Sequence, residues 1–143
     1  MTTDRWSFEN HNLLVTGATR GIGAAIVDEF LELGARVLFV ARNQKDVTAR
    51  ESEWRERGLD ARGLAADVAT RQGRARLAEQ VSAWSDRLDA LVNNVGTNIR
   101  KPASRYSEDE FDAVFKTNLD ERNIEVTFPN PLISDQLPVN NDQ

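Results

Sequence analysis

Three glycines stand at 17, 21 and 23 in the run Thr16-Gly17-Ala18-Thr19-Arg20-Gly21-Ile22-Gly23, directly after the apolar stretch NLLVT. Taken alone, such a cluster describes a tight turn between a strand and a helix. Its setting adds to that. An apolar strand enters the turn and a segment with helical spacing leaves it, so backbone amides and the positive end of a helix face one point, the arrangement that receives a pyrophosphate. Thr19, Arg20 and Ile22 share the turn with the glycines and are candidate contacts of the same ligand. A dinucleotide is usually held at its ribose 2′-hydroxyl by an acidic residue about 20 positions farther on, at the end of the second strand. This chain has Ala41-Arg42 there. A carboxylate would repel a 2′-phosphate, whereas a guanidinium grips it with a charge-assisted fork, so the position favours NADP(H) over NAD(H). Read singly, Arg42 is a solvated surface charge in an Arg-rich chain.

The spacing TGxxxGxG departs from the general G-x-G-x-x-G fingerprint and resembles that of the short-chain dehydrogenase/reductase family. With that family in view, Arg20 is similar to the second basic residue of NADP-preferring members. Asp67-Val68 resembles the pair beside the adenine, where the carboxylate can accept from the exocyclic amine; a helix-entry aspartate near Thr70 is the other reading. Asn93-Asn94-Val95-Gly96 resembles the family's NNAG motif, with Val95 in place of Ala; a plain Asn-Asn-Gly turn is the alternative. Asn118 in FKTNLD matches the asparagine of the family's Asn-Ser-Tyr-Lys tetrad and is the one candidate catalytic residue. RWSFENHNLLVTGATRGIG and NNVGTN look like the tropinone-reductase-like branch, and the resemblance covers roughly residues 5 to 120.

The elements that must position these residues are legible in the apolar periodicity. Asn12 to Thr16 reads as a buried parallel strand. Ile22, Ala25, Ile26, Phe30 and Leu33 form one helical stripe ending at Gly34, a suitable C′ residue. Arg36 to Ala41 is the second strand, and Asn43 caps a helix with Val47 and Trp54 on its inner face that stops at Gly58. Residues 60 to 66 form a weaker third strand interrupted by Gly63. Thr70 opens a helix carrying Leu77, Val81, Trp84 and Leu88, and LDALVNN is strand four. Ser107 and Glu110 make a capping box, Tyr106 can staple onto Phe111, and Phe111, Val114, Phe115 and Leu119 continue that helix's apolar face. The alternation predicts an α/β fold, a Rossmann-type doubly wound parallel sheet in the order 3-2-1-4, truncated after about four strands.

Composition excludes several other classes. The chain has 143 residues, 40% hydrophobic and 29% charged, with a net charge of −5, so a nucleic-acid surface has no electrostatic support. There is no cysteine and one histidine, His11, expected to be a solvated residue before the first strand; no thiolate or histidine-rich metal site is expected. The N-terminus lacks a signal peptide's apolar segment, and no run approaches a membrane span, so a cytoplasmic protein is expected. Residues 1–120 read as an NADP(H)-binding unit and 121–143 as a dissimilar tail, in which 123 to 128 alternate like a short strand, a frayed end being the other reading. The family's catalytic serine and Tyr-x-x-x-Lys pair have no counterpart: the single tyrosine, Tyr106, is followed four residues later by Glu110. The expected function is the cofactor portion of an oxidoreductase interconverting a ketone and a secondary alcohol, inactive by itself. A non-catalytic nucleotide-binding module, or a fragment completing its sheet by self-association or with another chain, are the alternatives.

Overall fold

The computed structural model describes residues 6–96 and 102–119. Strands β1 (Asn12–Thr16), β2 (Arg36–Ala41), β3 (Ala61–Ala65) and β4 (Ala90–Val92) alternate with helices α1 (Gly21–Glu32), α2 (Gln44–Glu56) and α3 (Arg71–Trp84); α4 (Glu108–Leu119) follows a short 3-10 turn, Ala103–Arg105. The strands form one parallel sheet in the order β3-β2-β1-β4. Leu14 pairs with Leu38 on one side of β1 and with Leu91 on the other, which puts β1 at the centre.

Period-two alternation divides the core between two faces. Leu13, Val15, Val37 and Phe39 point to one side, where they meet Val27, Leu31, Val47 and Trp54 of α1 and α2. Leu14, Leu38 and Val40 point to the other, against Leu64, Leu77 and Val81. All five positions of β1 are buried, apolar at Leu13, Leu14 and Val15 in its middle, with hydrogen-bonded Asn12 and Thr16 at its ends. Each such side chain removed from water contributes about 1.5–3 kcal/mol.

The capping residues perform as expected. Asn43 accepts from the amides of Lys45 and Asp46, and the Thr70 hydroxyl accepts from Gly73 N. At α4, Ser107 N donates to Glu110 Oε2 at 3.0 Å while Glu110 N donates to Ser107 Oγ at 3.2 Å, a reciprocal box. Tyr106 and Phe111 line one shallow depression together with Ser107, Glu108 and Asp112. Gly63 does not weaken β3: a Cβ there would lie 2.5 Å from Val47 Cγ1 and 2.8 Å from Phe39 Cζ, so the gap in the apolar pattern is filled from α2 and β2.

Three expectations about helix faces are corrected. The inward face of α1 is Gly23, Ala24, Val27 and Leu31, one position from the expected stripe; Ile22 is 75% exposed, Ala25 is exposed, and Ile26 and Phe30 lie on the flank. The cause is local, because the first turn of α1 must bring Gly23 against the β1 turn, which rotates Ile22 outward. Helix α3 ends at Trp84, with Ser85 extended, so Leu88 reaches the core from the connection to β4 rather than from the helix. On α4, Phe111 and Phe115 stack on each other with ring centroids 4.5 Å apart but remain 53% and 49% exposed. Their apolar face is not covered by any described element. His11 is exposed, as expected. The tail from residue 121, including the alternating stretch 123 to 128, lies outside the described residues.

Candidate functional site

The site is built at the carboxyl ends of the strands, where the turns after β1, β2, β3 and β4 lie side by side. Its centre is the β1–α1 turn. Gly17 has φ +66°, in the left-handed region, and its amide donates to Val40 O at 2.9 Å, joining the turn to the end of β2. Gly23 is the point of closest approach: a Cβ there would stand 2.1 Å from Gly17 O and 2.5 Å from Asn94 Nδ2. No side chain larger than hydrogen fits between α1 and its own entry strand.

Thr16, fully buried at the end of β1, clasps this turn to β4. Its hydroxyl oxygen accepts from Asn94 N at 3.0 Å and Val95 N at 3.2 Å, and lies 3.5 Å from Val92 O, to which it donates. Asn94 Nδ2 in turn donates to Gly17 O at 3.0 Å. The motifs around Gly17 and Asn94, 77 residues apart in sequence, are therefore one hydrogen-bonded unit. Asn118 comes to the same place from α4, since a Cβ on Gly96 would meet its Oδ1 at 3.0 Å.

Electrostatically, α1 differs from its neighbours. Its N-cap, Arg20, has extended backbone and makes no side-chain cap bond, and its first turn carries no acidic residue. The first amides of a helix have no partner within it, so this end presents unmet donors and a partial positive charge. Arg20 and Arg42 are exposed, and neither forms an ion pair among the described residues. Ile22 stands exposed beside them at the start of α1. Thr19 is half-buried, and its carbonyl accepts from Arg50 Nε at 2.8 Å.

At the β3 turn, Asp67 Oδ1 accepts from Ala69 N at 3.0 Å and Asp67 O accepts from the Thr70 hydroxyl at 2.8 Å. These are bonds of helix entry, and they leave the exposed carboxylate its second oxygen. The Val68 side chain is buried in the core, so only its backbone is placed to meet a ligand, and its carbonyl is held by Arg74 Nη1 at 2.9 Å. Sequence reasoning missed Thr16, Arg50 and Arg74. Thr16 stood in the quoted motif with no role of its own; the two arginines act through contacts that carry no local signal.

Two carboxylates, Asp28 on α1 and Asp89 just before β4, are held below the usual aspartate range. Asp28 is lowered chiefly by its hydrogen bond from Arg57, with Trp54 Nε1 adding a second at 3.1 Å; Arg57 also bridges to Glu32 and is itself raised. Asp89 is lowered first by the backbone amide of Asn12, which donates to Oδ2 at 2.7 Å, and then by Arg87. Both belong to the scaffold beneath the site. Among the described residues no group of three or more His, Cys, Asp or Glu is placed to hold a metal ion, and no helix is long and apolar enough to cross a membrane.

A family model described as short chain dehydrogenase matches residues 11–121. The chain is 43% identical over 122 residues to a tropinone reductase homolog of Arabidopsis thaliana, covering 84% of this chain and 46% of that protein. It is 38% identical over 117 residues to a tropinone reductase homolog of Datura stramonium, covering 81% and 44%. Among solved structures it is similar to a Pseudomonas aeruginosa RhlG/NADP active-site complex, with a TM-score of 0.76 and 34% identity over 81% of this chain and 45% of that one. The chain thus spans a little under half the length of these relatives.

Proposed function

The chain belongs to the short chain dehydrogenase family, and from that premise we propose that residues 1–120 form the NADP(H)-binding portion of an oxidoreductase that interconverts a ketone and a secondary alcohol. Bound there, the nicotinamide would supply the hydride. The observation that carries the reading is the uncapped start of α1, pressed through Gly23 onto the Gly17 carbonyl and flanked by two arginines that have no acidic partner among the described residues.

The chain's own residues divide the work of binding. The amides of the 17–23 turn receive the pyrophosphate, since anions are stabilised at a helix N-terminus. Arg20 and Arg42 take the 2′-phosphate. Asp67 accepts from the adenine amine and the Val68 backbone lies beside it, while Asn94, Val95 and Gly96 bring backbone close to the second ribose. Ile22 offers an apolar contact at the mouth of the turn. Asn118, set against Gly96, is the group that would order a proton-relay water. The RhlG relative is described as an NADP complex, which supports the choice of cofactor. The cytoplasm is the compartment we assign, and 121–143 is set apart as a dissimilar tail.

We propose further that these 143 residues do not turn over substrate alone, because they hold no Tyr-x-x-x-Lys pair. A second reading, that the sheet is completed by another copy or a complementing chain, is favoured by β4: it has three residues, Ala90 is exposed, and among the described residues it pairs only with β1. The binding reading is tested by backbone amide shifts on adding NADP⁺. Residues 17–23, 42, 67–68 and 94–96 should shift together; shifts confined to the depression at Tyr106 and Phe111 would refute it.

A further inference from the structure

Arg50 reaches from the middle of α2 to the β1–α1 turn and donates from Nε to Thr19 O at 2.8 Å, across 31 residues of sequence. The side chain is held on two other sides. Its Nη1 donates to Glu53 Oε2 at 2.9 Å, and its guanidinium carbon lies 5.9 Å from the centre of the Trp54 ring. Trp54 is itself buried, packed edge-on against Phe39 and bonded to Asp28, so the surface beneath Arg50 is rigid. A peptide group is planar and trans, with its carbonyl and amide pointing opposite ways. Fixing the Thr19 carbonyl toward α2 therefore turns the Arg20 amide away from α2 and sets the direction in which the chain enters residue 20.

We propose that Arg50 is a positioning residue for recognition of the 2′-phosphate: it fixes the Thr19–Arg20 peptide plane from behind and so aims Arg20 at the phosphate. This rests on the NADP(H) reading given above. Arg50 touches neither the cofactor nor a reacting atom, and its influence passes through one peptide group. That predicts an effect on the discrimination between two cofactors rather than on binding in general, because the pyrophosphate amides at Gly21 to Gly23 lie beyond the fixed plane, in the first turn of α1.

The test compares the 143-residue chain with Arg50→Met, which keeps the stem over Trp54 but has no donor, and with Arg50→Lys, which retains a cationic donor. Titrations with NADPH and NADH should show NADPH weakened in R50M by about five- to tenfold, the scale of one hydrogen bond's net worth, with NADH changed by less than about twofold. R50K should restore the ratio toward that of the parent. In the absence of cofactor, the Arg20 amide resonance should already move in R50M. Equal weakening of both cofactors, or an unmoved Arg20 amide with an unmoved ratio, would overturn the proposal while leaving the NADP(H) reading intact. No discrimination by the parent chain would overturn that reading, and this one with it. Should R50M fail to fold, R50K and Glu53→Gln, which frees Nη1 on an exposed surface, must lower the same ratio by a smaller factor for the proposal to stand.

Discussion

At the scale of single residues, the arginine after β2 has the most direct consequence. Arg42 occupies the strand end at which an acid would bar a 2′-phosphate. Changing it to Asp replaces a charge-assisted bond by a repulsion, so NADPH affinity should fall by on the order of tenfold or more while NADH affinity is held or improved, reversing the preference. Fluorescence titration of the variant with both cofactors checks this, and an unaltered preference would remove Arg42 from the site. Arg42 and Arg20 stand out as candidates in the sequence because each sits at a fixed distance from the glycine motif. Thr16 and Arg50 were not, because what they do is set by partners 78 and 31 positions away. A buried threonine at a strand end and an arginine in a charged helix look ordinary until the chain is folded.

At the scale of elements, the contact between α1 and the β1 turn leaves no room for a side chain. Gly23→Ala would push a methyl carbon to within 2.1 Å of the Gly17 carbonyl, a backbone atom that cannot swing aside. The first turn of α1 must then move, at a cost of about 1–3 kcal/mol of overpacking. A lowered Tm together with loss of NADPH binding is expected; retained binding would show that the turn does not cradle the pyrophosphate. The strand–helix alternation and the caps at Asn43, Thr70 and Ser107 were legible because their signals are local. The inner face of α1 was not: Ile22 and Ala25 outweigh Gly23 in any count of apolar residues, yet close approach demands the glycine inside. Two aspartates, one bonded to the start of β1 and one on α1, carry a pH dependence. Asp89 is held below the ordinary aspartate value of 3.8 by the Asn12 amide, and Asp28 is lowered by Arg57. For a carboxyl depressed on folding, the unfolded chain binds more protons beneath 3.8, so the stabilisation is complete above that value and is lost as pH falls through the folded one. Acid unfolding followed by circular dichroism should therefore begin below about pH 4. Asp89→Asn, which keeps an acceptor but takes up no proton, should flatten that limb.

At the scale of the whole molecule, the sheet order and family were fully legible, because βαβ alternation with one well-placed turn admits few topologies. The exposure of Phe111 and Phe115 was not, since periodicity marks an apolar face without saying what lies against it. Chain of known mass should show no ketone-dependent NADPH oxidation at 340 nm. A positioned acid contributes about 10²- to 10⁴-fold, and neither the tyrosine nor the lysine of the relay is present in these 143 residues. Turnover that co-purifies with the chain and disappears in the Gly23 variant would contradict this.

The central claim is that the turn between β1 and α1, with Arg20 and Arg42 beside it, binds a 2′-phosphorylated dinucleotide in preference to the unphosphorylated one. It is tested most directly by titrating the unaltered chain with NADPH and NADH in parallel, first in low salt and then at raised ionic strength. Two exposed guanidinium groups should make NADPH the tighter ligand by at least about tenfold in low salt, with the advantage shrinking as salt screens them. Equal affinities, or tighter binding of NADH, would contradict the assignment of both arginines.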